Sequence, residues 1–251
     1  METQSLYPEP AAPADAPKPE SASVFEDFLD IFYAPSQVFE RRRDGKFGLA
    51  LLILIVVAAV LMFALKPAMQ NFWDAMGDMQ VKAAMASNPN VTPEMADKMR
   101  SMGEKFALPG VIFSYLMITL LTGFVLWIVG KIFDSKQTIS QAMMVSTYAQ
   151  VPRFILGTVV LALVAFFMGD SLRANPFGAS LGLAHFFGDG TKMGVMQLAS
   201  RVELFTIWAT ILLGIGLSIT GQVRRSQAFI AAFIVWVIGS LPALFTLARG
   251  Q

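Results

Sequence analysis

The chain has 251 residues, of which 55% are hydrophobic and only 15% charged, with a mean hydropathy of +0.58 and a net charge of +1. That composition excludes an ordinary soluble domain, and the near-neutral charge gives no basic excess for nucleic acid. With no cysteine and a single histidine, His185, thiol catalysis is excluded as well.

Residues 1–22 are rich in Pro and Ala and poor in apolar side chains, so a disordered cytosolic tail is expected. Order is expected from Ser23, where Ser23-x-x-Glu26 has the spacing of a capping box. Phe25, Phe28, Leu29 and Phe32 then recur at i, i+3, i+4, i+7, an apolar stripe opposite Glu26, Asp27 and Asp30. Pro35 ends this amphipathic helix, and Arg41, Arg42 and Arg43 follow before the first apolar run. The stripe is expected to dock the helix at the cytosolic membrane face, with the arginines anchoring the first span. Its acids would turn to Lys136, to Arg224-Arg225 or to a partner.

Five runs read as membrane spans, at about 47–65, 110–132, 151–168, 203–221 and 226–247. Between the first two, residues 66–109 read as an outer helical hairpin. Met69, Phe72, Trp73, Met76 and Met79 line one arm, and Met95, Met99, Met102 and Phe106 the other. Cu(I) favours thioether ligands, but methionine as adaptable packing is the preferred reading, so no metal is expected. "SNPNVTP" supplies the turn, with Thr92 as N-cap and Pro93 at the first helical position. Small residues recur at contact spacing on two spans: Thr119 and Gly123 on the second, and Thr210, Gly214, Ser218 and Gly221 on the fourth. They read as a close-packing seam, with a pore or lipid groove as the alternative.

"DIFYAPSQVFERRR", "TYAQVPRFILG" and "GLSITGQVRRSQAFIAAFIVWVIGSL" together resemble the Yip1-domain membrane proteins, from Val24 to Leu247. The resemblance implies an amphipathic segment before five spans. Where the eukaryotic branch has Asp-Leu-Tyr-Gly-Pro this chain has Asp30-Ile31-Phe32-Tyr33-Ala34-Pro35, which with the short tail points to the prokaryotic branch and a bacterial inner membrane.

Lys and Arg crowd the short connections at Arg41 to Lys46, Lys131 to Arg153 and Arg224-Arg225, so the N-terminus is expected inside and the C-terminus outside. No ionisable residue falls at the centre of an expected span, which disfavours a coupled transporter. His185, Ser180 of "GASLG" and Asp189 of Gly188-Asp189-Gly190 read as loop residues without catalytic context, and no cofactor is implied. The expectation is an all-α, five-span, non-catalytic scaffold or adaptor residing at residues 23–251. Its partners are membrane lipids and other membrane or cytosolic proteins, and the fold is compatible with a homo-oligomer. The alternative is a small transporter or lipid-handling protein with a groove beside the fourth span.

Overall fold

The computed structural model describes residues 22–88, 90–173, 176–188 and 190–249. The tail through Ser21, Pro89 of the hairpin turn and Asp189 lie outside them. Two short helices come first: α1 (Val24–Asp30), capped by the expected Ser23–Glu26 box, and α2 (Pro35–Arg41), with Pro35 in its first turn. Pro35 therefore both stops one helix and starts another, because its fixed φ and missing N–H suit a first turn.

Three helical stretches are long and apolar enough to cross a membrane: α3 (Gly48–Leu65), α5 (Pro93–Ile132) and the continuous run Ile139–Leu172. That run joins α6 (Ile139–Ala149) to α7 (Gly157–Met168) through a π-helical turn at Pro152–Leu156. Toward the C-terminus, α10 (Arg225–Gly239) and α11 (Leu241–Ala248) meet at a 42° bend and qualify together as a fourth. Before them, α8 (Met193–Ala199) is a short helix and α9 (Leu204–Thr220) a shorter apolar one. Among the described residues the β pairing is one bridge, Gly182 to Glu203.

The helical run that contains the expected third span, 151–168, begins earlier, at Ile139. The segment Ile139–Ala149 reads as polar because of Ser140, Gln141, Ser146 and Thr147, yet it is a buried helix between α5 and α9. Its hydroxyls find acceptors locally: Ser146 donates to the Thr119 carbonyl at 2.7 Å and Thr147 to that of Met143 at 2.8 Å. Polar side chains satisfied this way cost little inside a bundle.

The main core draws Leu54, Leu126, Met144, Tyr148, Phe154, Leu212 and Leu217 from α3, α5, α6, the π turn and α9. At the Thr220 end the connections are stitched together. Arg43 donates to the Ile219 carbonyl at 3.2 Å, Gln141 to that of Arg43 at 2.8 Å, and Lys136 N–H to that of Gly221 at 3.0 Å. Gly45 serves a chain reversal here: its φ is +75°, and a Cβ would sit 3.0 Å from the Gln141 nitrogen.

The expected helices of residues 66–109 are present as α4 (Gln70–Ser87) against the first half of α5, and Thr92 caps α5 with Pro93 next. Pro109 lies inside α5, so the hairpin arm and the following span are one 40-residue helix. Packing does not absorb the second methionine stripe: Met95, Met99, Met102 and Phe106 are 40–63% exposed. The arms meet across an open groove of about 620 Å³ lined by residues such as Trp73, Met76, Val81 and Ala107, which leaves those side chains on its rim and outside.

Candidate functional site

Residues 22–42 form a wedge held by a buried carboxylate. Asp27 is fully buried. It accepts from Arg41 Nη2 at 2.7 Å and Nε at 3.2 Å, from Arg42 Nε at 2.5 Å and from the Tyr148 hydroxyl at 3.2 Å. Arg41 also pairs with Asp30, which in turn accepts from the Tyr33 hydroxyl. These two bonds, the tyrosine's first and Arg41's second, hold the Asp30 carboxyl below its ordinary value of 3.8. Arg42 reaches back to the Ala22 carbonyl at 2.6 Å, closing the N-terminal end.

The expected docking stripe splits in two. Phe28 is buried edge-to-face on Tyr148 at 5.8 Å, Ile31 is fully buried, and Phe32 meets Trp208 at 5.4 Å. Phe25 and Leu29 point outward, 61% and 66% exposed, and Tyr33, 74% exposed, extends their row. The helix has thus turned to bury Asp27, because two guanidinium groups and a hydroxyl make that carboxylate less costly inside than outside its cluster. Arg41 and Arg42 serve this cluster rather than lipid headgroups, and the acids turn to them rather than to Lys136 or Arg224-Arg225. Pairings across fourteen and fifteen residues leave no trace in helical spacing, so the sequence stripe misses them.

Trp208 stands twelve residues before Thr220, about 18 Å along α9, whereas Arg43 holds the Ile219 carbonyl at the Thr220 end. The turn between α1 and α2 therefore packs alongside α9, against the flank of the bundle.

The small-residue seam is distributed over several contacts. Thr119 is buried and its carbonyl takes the Ser146 hydroxyl, while a Cβ on Gly123 would press on Met143. Gly214 faces Phe229, and Gly221 faces Ser135. Thr210 and Ser218 are half-buried, their hydroxyls bonded within α9 to Thr206 and Ile215. The closest approach on α9 belongs to Gly216, where a Cβ would come within 2.4 Å of Val145. Its signal in the sequence is the Gly-x-Gly at 214–216, which serves two faces at once.

Arg153 departs most from expectation. Expected in a cytosolic connection, it sits on the π turn, fourteen residues into the Ile139–Leu172 run, near its middle. It lines a cavity of about 220 Å³ with Tyr115, Thr158, Ser180 and Glu203. A charge inside the bundle is the feature that would favour a lipid-handling role. His185 bonds the Gly178 carbonyl at 2.7 Å, as a loop residue does.

A family model for the Yip1 domain matches residues 29–246. The chain is 24% identical over 232 residues to a membrane protein called YknW from Bacillus subtilis (strain 168), covering 90% of this chain and 92% of that one. No solved structure gives a significant match. The match along nearly the whole helical bundle, including the wedge from Leu29, makes the chain a member of the Yip1-domain family of membrane proteins.

Proposed function

We propose that the chain is a non-catalytic scaffold of a bacterial inner membrane, crossing it five times with the N-terminus in the cytosol, and that the wedge is its partner-binding surface. For α9, 17 residues at about 1.5 Å each nearly match a thin hydrocarbon core, and α10 with α11 forms one bent crossing. The carrying observation is the pinned wedge: an ion cluster around Asp27 fixes α1 so that Phe25, Leu29 and Tyr33 form a rigid outward row. A preset apolar row costs little ordering entropy when a second membrane protein packs on it. The cluster offers no chemistry of its own, since the Asp27 oxygens are occupied by cationic donors.

A photoreactive side chain at Leu29 in living cells should cross-link to another polypeptide, and one at the lipid-exposed Phe63 of α3 should not. Lipid adducts alone at Leu29 would reject the reading. The second reading, a small lipid-handling protein, draws on Arg153 inside the bundle, and it predicts movement of lipid between leaflets by the purified chain in vesicles.

A further inference from the structure

Arg153 carries five N–H donors, and no hydrogen bond or ion pair engages its side chain among the described residues. Its neighbours are committed elsewhere. The Glu203 carboxylate caps α9, accepting from the Thr206 N–H and hydroxyl at 3.1 Å each. Thr158 donates to the Phe154 carbonyl at 2.7 Å, and the Tyr115 hydroxyl lies 3.3 Å from Thr158. Arg201, close enough for its charge to act on Arg153, uses Nε on Ser240 at 3.3 Å. Arg153 and Glu203 are the charged residues that line the cavity, and the Glu203 charge, which reaches Arg153, would oppose an anion bound there.

The rim is built. Gly182 pairs with Glu203, the Leu183 N–H donates to the Val202 carbonyl at 3.0 Å, and a Cβ on Gly182 would strike that carbonyl oxygen at 2.3 Å. Next to this pairing, Ser180 and Leu181 line the cavity together with Arg153. The Ser180 oxygen accepts from the Gly182 N–H at 3.2 Å, leaving its own O–H to donate. The π turn that carries Arg153 follows from Pro152, which supplies no N–H, and such turns often mark functional positions. A guanidinium whose N–H donors meet no acceptor is costly inside a bundle, and a further anionic acceptor would relieve that cost.

We propose that the Arg153 cavity binds a phosphate group, belonging either to an anionic lipid headgroup or to a small free phosphate. A planar guanidinium with a hydroxyl donor in the same cavity suits tetrahedral phosphate oxygens. At about 220 Å³ the cavity admits a phosphate and a few further atoms, so acyl chains would lie outside it. The inference goes beyond the scaffold reading, because a scaffold can hold a lipid phosphate and the wedge residues do not line this cavity.

The test uses the full chain in nanodiscs of phosphatidylcholine, of phosphatidylcholine with phosphatidylglycerol, and of phosphatidylcholine with added inorganic phosphate. One of the two anions should raise the thermal midpoint by about 3 °C or more over phosphatidylcholine alone. A rise with phosphatidylglycerol alone identifies a lipid headgroup, and a rise with inorganic phosphate identifies a free anion. Glu203→Gln keeps the oxygen that caps α9 but removes the opposing charge, so it should enlarge the rise. Arg153→Gln should abolish it. If Arg153→Gln does not fold, Glu203→Gln decides: an unchanged or smaller rise overturns the proposal. So does the absence of any rise in the parent, or a full rise in Arg153→Gln.

Discussion

At the scale of single residues, Asp27 organises the N-terminal segment. Removing it leaves Arg42 without its carboxylate and Arg41 with Asp30 alone, and breaking a buried pair usually costs about 3–5 kcal/mol. Both arginines keep some solvent contact, which trims the loss for Asp27→Ala to about 2–3 kcal/mol. Limited proteolysis should then cut between Ser23 and Arg43, where the parent resists. Asp30 sets the pH response of the same segment. Its folded pKa lies below the ordinary 3.8, so its contribution is fully present above that value and is lost as pH falls through the lower, folded one. Protease resistance of the segment should stay level from neutral pH down to the ordinary carboxylate range and fall only below it. The two α9 glycines should also separate: Gly216→Leu presses on fully buried Val145, whereas Gly214→Leu meets Phe229, 39% exposed and able to swing aside. The thermal midpoint in detergent should drop at least twice as far for Gly216→Leu.

At the scale of elements, what was legible in the sequence depended on whether the signal was local. The capping box at Ser23, the N-cap at Thr92, α3, the hairpin and the tight α9–α10 connection all follow from neighbouring residues. The start at Ile139 does not, because the polarity of Ser140, Gln141 and Ser146 is met by the Gly45, Arg43 and Thr119 carbonyls, acceptors that only the folded bundle supplies. For the same reason Arg153 reads as a loop charge from its Pro152 neighbour, although a π turn carries it inside. Orientation of the elements is open to direct measurement. On the proposed topology, in which α10 and α11 make one crossing, a reporter active only outside the cytosol should work when fused after Arg249 and fail when fused after Arg225. Activity after Arg225 would reverse the bundle.

At the scale of the whole molecule, the apolar helices surround a bundle whose flank is completed by a segment from outside the spans. The wedge is held by charge on its inner side and shows apolar side chains on its outer side, the reverse of a helix that simply adsorbs to a membrane surface. Such an arrangement suits lateral assembly with another membrane protein. On the proposed function, Phe25 and Leu29 contact that protein. Both are largely exposed, so Phe25→Ala with Leu29→Ala removes little buried area and should leave folding unchanged. The decisive measurement is quantitative co-purification of parent and double variant from membranes, with protease resistance of the segment as control. The account predicts parent-like resistance together with loss of the most enriched co-purifying membrane protein. Undiminished recovery of the same proteins by the double variant would contradict it.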